Sequence, residues 1–150
     1  MNPSRHHARE IAFQILFQFD NTKPNLSDEE RQAIFCEENL KEEIENYFKH
    51  FKVPPENKPL IESLVLGTLK NIKSIDEKIQ KASHHWRLDR MSKVDLNLLR
   101  MATFELQNLD TPPSVTMNEA IEIAKTFGNE DSQSFINGLL DKLSQSKKKN

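Results

Sequence analysis

Four basic side chains, Arg5, His6, His7 and Arg9, crowd into five residues directly behind Pro3-Ser4. The apolar spacing that follows predicts a helix, so they occupy its opening turns. Cations there oppose the helix macrodipole, at about 0.3–1 kcal/mol each in the first turn. Fold stability gives no reason for that placement. An incoming phosphate would be drawn by these side chains and by the free N–H groups at a helix start. The bland alternative is a frayed terminus, where the sign of charge hardly matters. Arg100 is a second oddity, set among Leu98, Leu99, Met101 and Ala102. Such an arginine is either paired with a carboxylate, with Glu105 and Glu122 as candidates, or held at a binding surface by its helix. Phe135 lies beside the stripe of Ile136, Leu139, Leu140 and Leu143, not at its centre. Core packing is its default, and a half-exposed ring stacking on a base is the sharper alternative.

Other chemistry has little support. The histidines come as His6-His7, His50 and His84-His85. Adjacent residues on a helix point about 100° apart, so these pairs do not chelate a metal as HExxH does. Cys36 is followed by Glu37 and Glu38, which disfavour a thiolate. Only three glycines occur, Gly67, Gly128 and Gly138. Neither GxGxxG nor GxxxxGK[ST] can be written with them, so glycine-built phosphate loops are absent. No GxSxG is present either. An enzyme reading has nothing to stand on, and neither a cofactor nor a metal is expected.

The elements that would position these residues are helices. Ala8, Ile11, Ala12, Ile15 and Phe19 mark one face of the first. Asn21 to Asn25, with Pro24, break the pattern. Ser27 and Glu30 read as a capping box opening an acidic second segment. Its firmest part carries Leu40, Ile44, Tyr47, Phe48 and Phe51, and Cys36 to Asn39 is a point of interruption. Pro54-Pro55 ends it. A third helix starts near Asn57, with the stripe Ile61, Leu64, Val65, Thr68 and Ile72. Ser74 and Glu77 read as a box for a short fourth helix. His84 to Arg90 is a polar connector containing Trp86. Ser92 to about Asn108 is apolar in nearly every direction, which marks a central helix. Thr116 and Glu119 read as the box of a sixth helix, with Gly128 as its C′ stop. The last helix ends in a polar tail, 146–150. About seven helices and no strand are expected in a single domain, 1–150. Its two sub-bundles divide at the double proline, about 1–53 and 56–145.

At 150 residues the chain is one domain's length, with a formal charge of −2. That near-neutrality is a cancellation. Residues 28–45 sum to −6, whereas 78–100 sum to +4 and 131–150 to +2. A uniformly basic nucleic-acid binder is excluded, but a locally basic one is not. A single cysteine forms no intramolecular disulfide, which fits a reducing cytoplasm. No apolar run approaches the 18 or so residues of a membrane span, and the first residues lack the apolar stretch of a signal peptide.

The same residues carry a resemblance. Arg5-His6-His7-Ala8-Arg9-Glu10-Ile11-Ala12 resembles the start of NusB transcription antitermination factors, as does Leu99-Arg100-Met101-Ala102-Thr103-Phe104-Glu105-Leu106. The most specific match runs from Val115-Thr116-Met117-Asn118-Glu119-Ala120-Ile121 through Phe127-Gly128 and Asp131-Ser132 to Phe135-Ile136-Asn137-Gly138-Leu139-Leu140-Asp141. Order and spacing agree along nearly the whole chain, least so from Asn21 to Val53.

The resemblance implies an all-α fold of two helical sub-bundles and no catalysis. It implies a bacterial factor that binds boxA-type single-stranded RNA as a heterodimer with NusE, a small-subunit ribosomal protein. That heterodimer joins an RNA polymerase antitermination complex and supports ribosomal RNA transcription. Carried over by position, the RNA surface comprises Arg5, His6, His7, Arg9, Arg100, Asp131 and Phe135, and Asp95 faces NusE. The family often has consecutive arginines where this chain has His6 and His7, so the arm carries less charge at neutral pH. That departure and the acidic second segment motivate a rival reading, a helical protein-interaction adaptor that has lost most RNA recognition. A third, the NusB-like domain of an RNA methyltransferase, lacks glycine motifs for a methyl-donor cofactor.

Overall fold

Every residue from Asp95 to Leu106 is buried, on all sides of one helix. This is the central element of the half of the chain in which it lies. The computed structural model describes residues 3–22, 27, 29–30 and 36–148. Among them it has seven bounded α-helices and no strand, the all-α class that the periodicity predicts. The helices are α1 Pro3–Thr22, α2 Glu37–His50, α3 Lys58–Lys70, α4 Ile72–Ala82, α5 Lys93–Asn108, α6 Pro113–Phe127 and α7 Ser132–Lys148. Single 3-10 turns, Pro55–Asn57 and Leu88–Arg90, precede α3 and α5. No described helix is long and apolar enough to cross a membrane.

The chain divides into two compact units, Asn2–Lys70 and Asn71–Asn150. The division therefore falls between α3 and α4, one helix later than the double proline suggests. In the first unit α3 packs against α1 and α2, and the 55–57 turn packs on α1 and α3. Ala8, Ala12, Ile15 and Phe19 are buried on α1, Leu40, Ile44 and Phe48 on α2, and Ile61, Leu64 and Val65 on α3. Each set recurs at three or four residues, the spacing of one helix face. In the second unit α5 packs against α4, α6 and α7, and α7 packs also on α4 and α6. An all-round apolar sequence and three neighbours belong together.

Helix starts divide the sequence expectations. Ser92 caps α5, its Oγ accepting the Asp95 N–H at 3.1 Å. Ser27 Oγ likewise accepts the Glu30 N–H at 3.1 Å, one half of the box read there. The other two boxes are not caps. Asn71 stands at the N-cap of α4, without a side-chain cap bond. Ser74 and Glu77 thus lie inside the helix, and Ile72 begins α4 instead of ending α3. α6 starts at Pro113 behind Pro112, where a missing N–H costs nothing. Thr116 is consequently a buried residue of that helix. Cys36 is the N-cap of α2, so the second segment is interrupted there. The break expected at residues 23–25 lies outside the described residues, as do positions 28 and 31–35 of the acidic second segment.

Gly128 does follow α6, but with φ −92° and ψ −172°. That is ordinary extended backbone, not the left-handed cap the sequence suggests. Its reason is contact: a Cβ there would stand 2.5 Å from Ser132 Oγ and 2.8 Å from the Ala124 carbonyl oxygen.

Candidate nucleic-acid interface

The start of α7 is fixed by a small polar clamp. The Asn129 N–H donates to Ser132 Oγ at 3.0 Å, and the Asp131 N–H donates to Asn129 Oδ1 at 2.8 Å. Ser132 is fully buried, seated in the space that the missing Cβ of Gly128 leaves. The clamp sets the direction of the helix and leaves Asp131 exposed at its mouth. The Phe135 N–H closes the first turn on the Asp131 carbonyl at 3.1 Å. Residues four apart lie on one helix face, so the Asp131 carboxylate and the Phe135 ring share a side of α7. Phe135 is half-buried, as its place beside the apolar stripe suggests.

The Phe135 ring meets Trp86 edge-on, with centroids 6.0 Å apart and planes at 74°. Trp86 is 56% exposed. Sequence reasoning placed it only in a polar connector. The available signal was its type: a lone tryptophan has little reason to stand among polar residues unless it covers or binds something.

Arg100 is buried, and it pairs with Asp76, a carboxylate the sequence reading does not name. The guanidinium donates from Nε to Asp76 Oδ1 at 2.8 Å and from Nη2 to Asp76 Oδ2 at 2.9 Å. Nη1 donates to Asn97 Oδ1 at 3.2 Å. Glu122 pairs instead with Lys125, one turn along α6. A two-point pair with a carboxylate fixes the guanidinium plane as well as its charge. Asp95 is also buried, and its Oδ1 has no hydrogen-bond partner among the described residues. Asp95, Arg100, Asp131 and Phe135 all belong to the unit 71–150.

The basic arm belongs to the unit 2–70 and is part of a formed helix. Ser4 Oγ donates to Asn57 Oδ1 at 3.0 Å, tying the first turn of α1 to the 55–57 turn. That bond counts against fraying. Within the arm the four side chains differ. Arg5 and His7 are exposed, whereas Arg9 is buried. His6 is half-buried, with Nε2 3.2 Å from Glu10 Oε1. The opening of α1 thus offers Arg5 and His7 outward, while Arg9 faces inward. Cys36 is exposed, and no group of three or more metal-ligating side chains occurs among the described residues.

What this arrangement can do is bind. It presents a helix-borne cationic edge in one unit and a carboxylate with an aromatic pair in the other. Cations suit phosphate oxygens, aromatic faces suit unstacked bases, and a carboxylate accepts from base N–H groups. Comparison with known proteins points the same way. A model described as the NusB family matches residues 6–145. The transcription antitermination protein NusB of Desulfitobacterium hafniense is 44% identical over 144 residues, covering 95% of this chain and 89% of that protein. The T. maritima NusB structure superposes with a TM-score of 0.74 at 34% identity, over 97% of this chain and 93% of that one. A crystal structure of antitermination factors NusB and NusE in complex with dsRNA superposes with a TM-score of 0.73 at 25% identity, over 97% and 99%.

Proposed function

The chain belongs to the NusB family, and from that premise we propose that it acts as a transcription antitermination factor. In this reading it is a cytoplasmic, non-catalytic protein that binds boxA-type single-stranded RNA together with NusE. The pair then joins RNA polymerase and supports ribosomal RNA transcription. The observation that carries the reading is the placing of exposed Asp131 and half-buried Phe135 one turn apart at the start of α7. The structural relative that contains NusB, NusE and RNA supports the same partners.

The residues divide by what each can reach. Arg5 and His7 contact phosphates, since both are exposed at the start of α1. His6 and Arg9, which are less exposed, complete the arm behind them. Phe135 stacks on a base and Asp131 accepts from the base edge, which together give sequence choice. Arg100, gripped by Asp76, positions the α4–α5 pair beneath the connector that carries Trp86. Asp95 faces NusE, where its unpartnered Oδ1 would find a donor.

A polarisation titration with labelled boxA RNA, with and without NusE, tests the reading. Binding is expected to be tighter with NusE, and a scrambled RNA is expected to bind more weakly. Loss of all RNA binding with NusE binding intact would replace this reading by the protein-interaction adaptor.

A further inference from the structure

Trp86 has been given no role of its own in RNA binding, yet it is the only tryptophan of the chain and more than half exposed. We infer that Trp86 and Phe135 together form a two-ring stacking site for a nucleobase of single-stranded RNA. The inference rests on the RNA-binding reading above and adds a residue to it.

The backbone that carries the indole is held through both its N–H and its carbonyl. The Trp86 N–H donates to the Ser83 carbonyl at 2.6 Å. Its own carbonyl accepts from Gln80 Nε2 at 2.9 Å and from Ser83 Oγ at 3.0 Å. Gln80 Oε1 accepts the Leu88 N–H at 3.3 Å. One side chain of α4 thus latches the connector on both sides of Arg87. A loop fixed in this way presents its ring at little entropic cost on binding. The ring is not there to fill the core, because 56% of Trp86 stays open to solvent.

The pair's geometry suits a base. Rings at 74° make two walls of a corner, so a planar base laid on one face meets the other ring at its edge. Both arrangements are favourable for aromatic pairs. The surroundings suit a phosphate backbone. His84, His85 and Arg87 flank the indole and are exposed. Lys142 Nζ reaches the Ala82 carbonyl at 3.3 Å, bringing a cation from α7 to the foot of the connector. Arg87 is paired with Asp89, but at an exposed site where such a pair is weak. Flat, partly exposed rings beside a guanidinium favour RNA over an apolar peptide segment. Asp131 lies one turn from Phe135, so the corner continues the surface already assigned.

The test uses the full chain with NusE and a boxA-type RNA oligomer. Because Trp86 is the only tryptophan here, the Trp86→Phe variant is the fluorescence blank for any signal from the partner. RNA is expected to quench the Trp86 emission. Trp86→Ala is expected to weaken RNA binding about tenfold or more, the scale of one lost stacked base. Trp86→Phe is expected to restore most of that loss, with NusE affinity and melting temperature close to wild type. Unchanged emission, or full RNA affinity in Trp86→Ala, would overturn the stacking role while leaving RNA binding intact. Emission that responds to NusE alone and not to RNA would make the corner a protein contact and overturn the inference. Absence of RNA binding by the unaltered chain would overturn both readings together. If Trp86→Ala does not fold, the quenching measurement and Trp86→Phe still decide.

Discussion

The carboxylate of Asp76 grips the guanidinium of Arg100 at two points, 2.8 Å to Nε and 2.9 Å to Nη2. The pair ties α4 to α5 across 24 residues of sequence. Arg100 retains 10% of its side-chain exposure and Asp76 25%, so water screens the pair in part. Removing the carboxylate leaves a buried cation without its main partner. Asp76→Ala is therefore expected to cost about 2–3 kcal/mol, below the range for fully buried pairs. Arg100→Met, which removes the charge and keeps the bulk, is expected to cost less. Thermal melting of the two single variants and the double variant measures the coupling. A loss in Asp76→Ala under about 0.5 kcal/mol, the scale of an exposed pair, would show that Arg100 does not depend on Asp76.

Two glycines are expected to respond with opposite signs. At Gly128 an added Cβ would meet Ser132 Oγ at 2.5 Å and the Ala124 carbonyl at 2.8 Å. Ser132 cannot swing away cheaply, because it is fully buried and accepts the Asn129 N–H. Gly128→Ala is expected to destabilise by about 1–3 kcal/mol, the usual cost of overpacking. Gly138 is exposed on α7, and nothing lies within 4 Å of an added Cβ. Gly138→Ala is expected to stabilise by about 0.5–1 kcal/mol through helix propensity. Denaturant midpoints at equal slope separate the two, and a stabilised Gly128→Ala would refute the close contact.

The contrast between these glycines shows where sequence reading succeeds. A pattern carried by one helix is legible, because 3.6 residues per turn fixes which side chains share a face. The place of Phe135 beside its stripe is legible in that way, and so is the burial of α5, whereas Asp131 enters only through the family resemblance. A pattern that needs a second helix is not legible. Asp76 was out of view as the partner of Arg100, because their meeting depends on how α4 packs against α5. The boxes at Ser74 and Thr116 failed for a related reason. A serine or threonine three residues before a glutamate looks the same at a cap and inside a helix. Only the backbone decides, and here Asn71 and Pro112 stand where the caps are. Gly128 was placed correctly for a reason that only Ser132 supplies. Trp86 went unassigned because its partner ring lies far along the chain.

Tyr47 offers a pH-dependent readout within the unit 2–70. It is the only tyrosine, and its ring stacks on Phe51 with centroids 6.0 Å apart. Burial pushes its phenol above the ordinary value of about 10, and the nearby Glu43 carboxylate adds to the rise. The folded state thus favours the protonated phenol. Its contribution to stability is fully present below pH ~10 and is lost as pH rises through the higher folded value. Phenolate absorbance, followed while circular dichroism still reports the folded chain, is expected to rise with a midpoint above 10. Glu43→Gln is expected to bring the midpoint down part of the way, since burial, the larger cause, remains. A wild-type midpoint at or below the ordinary value would contradict the burial of the ring.

Salt dependence can separate the two halves of the proposed RNA surface. Phosphate contacts release counterions, and each lowers the log–log slope by about 0.7 on a single strand. Stacking and base-edge hydrogen bonds release almost none. With roughly three to five phosphate contacts, the slope with boxA RNA and NusE is expected near −2 to −3.5. Arg5 is exposed in the opening turns of α1, so Arg5→Ala is expected to make the slope shallower by about 0.7, with similar losses on boxA and scrambled RNA. Phe135→Ala is expected to behave differently. It should weaken boxA binding by about 5-fold or more, as loss of a stacked base does, and leave the slope where it was. Titrations at three or four salt concentrations distinguish these outcomes. A slope near zero for the unaltered chain would remove the arm from RNA binding. Equal slope changes in both variants would mean that Phe135 supports the phosphate contacts instead of reading a base.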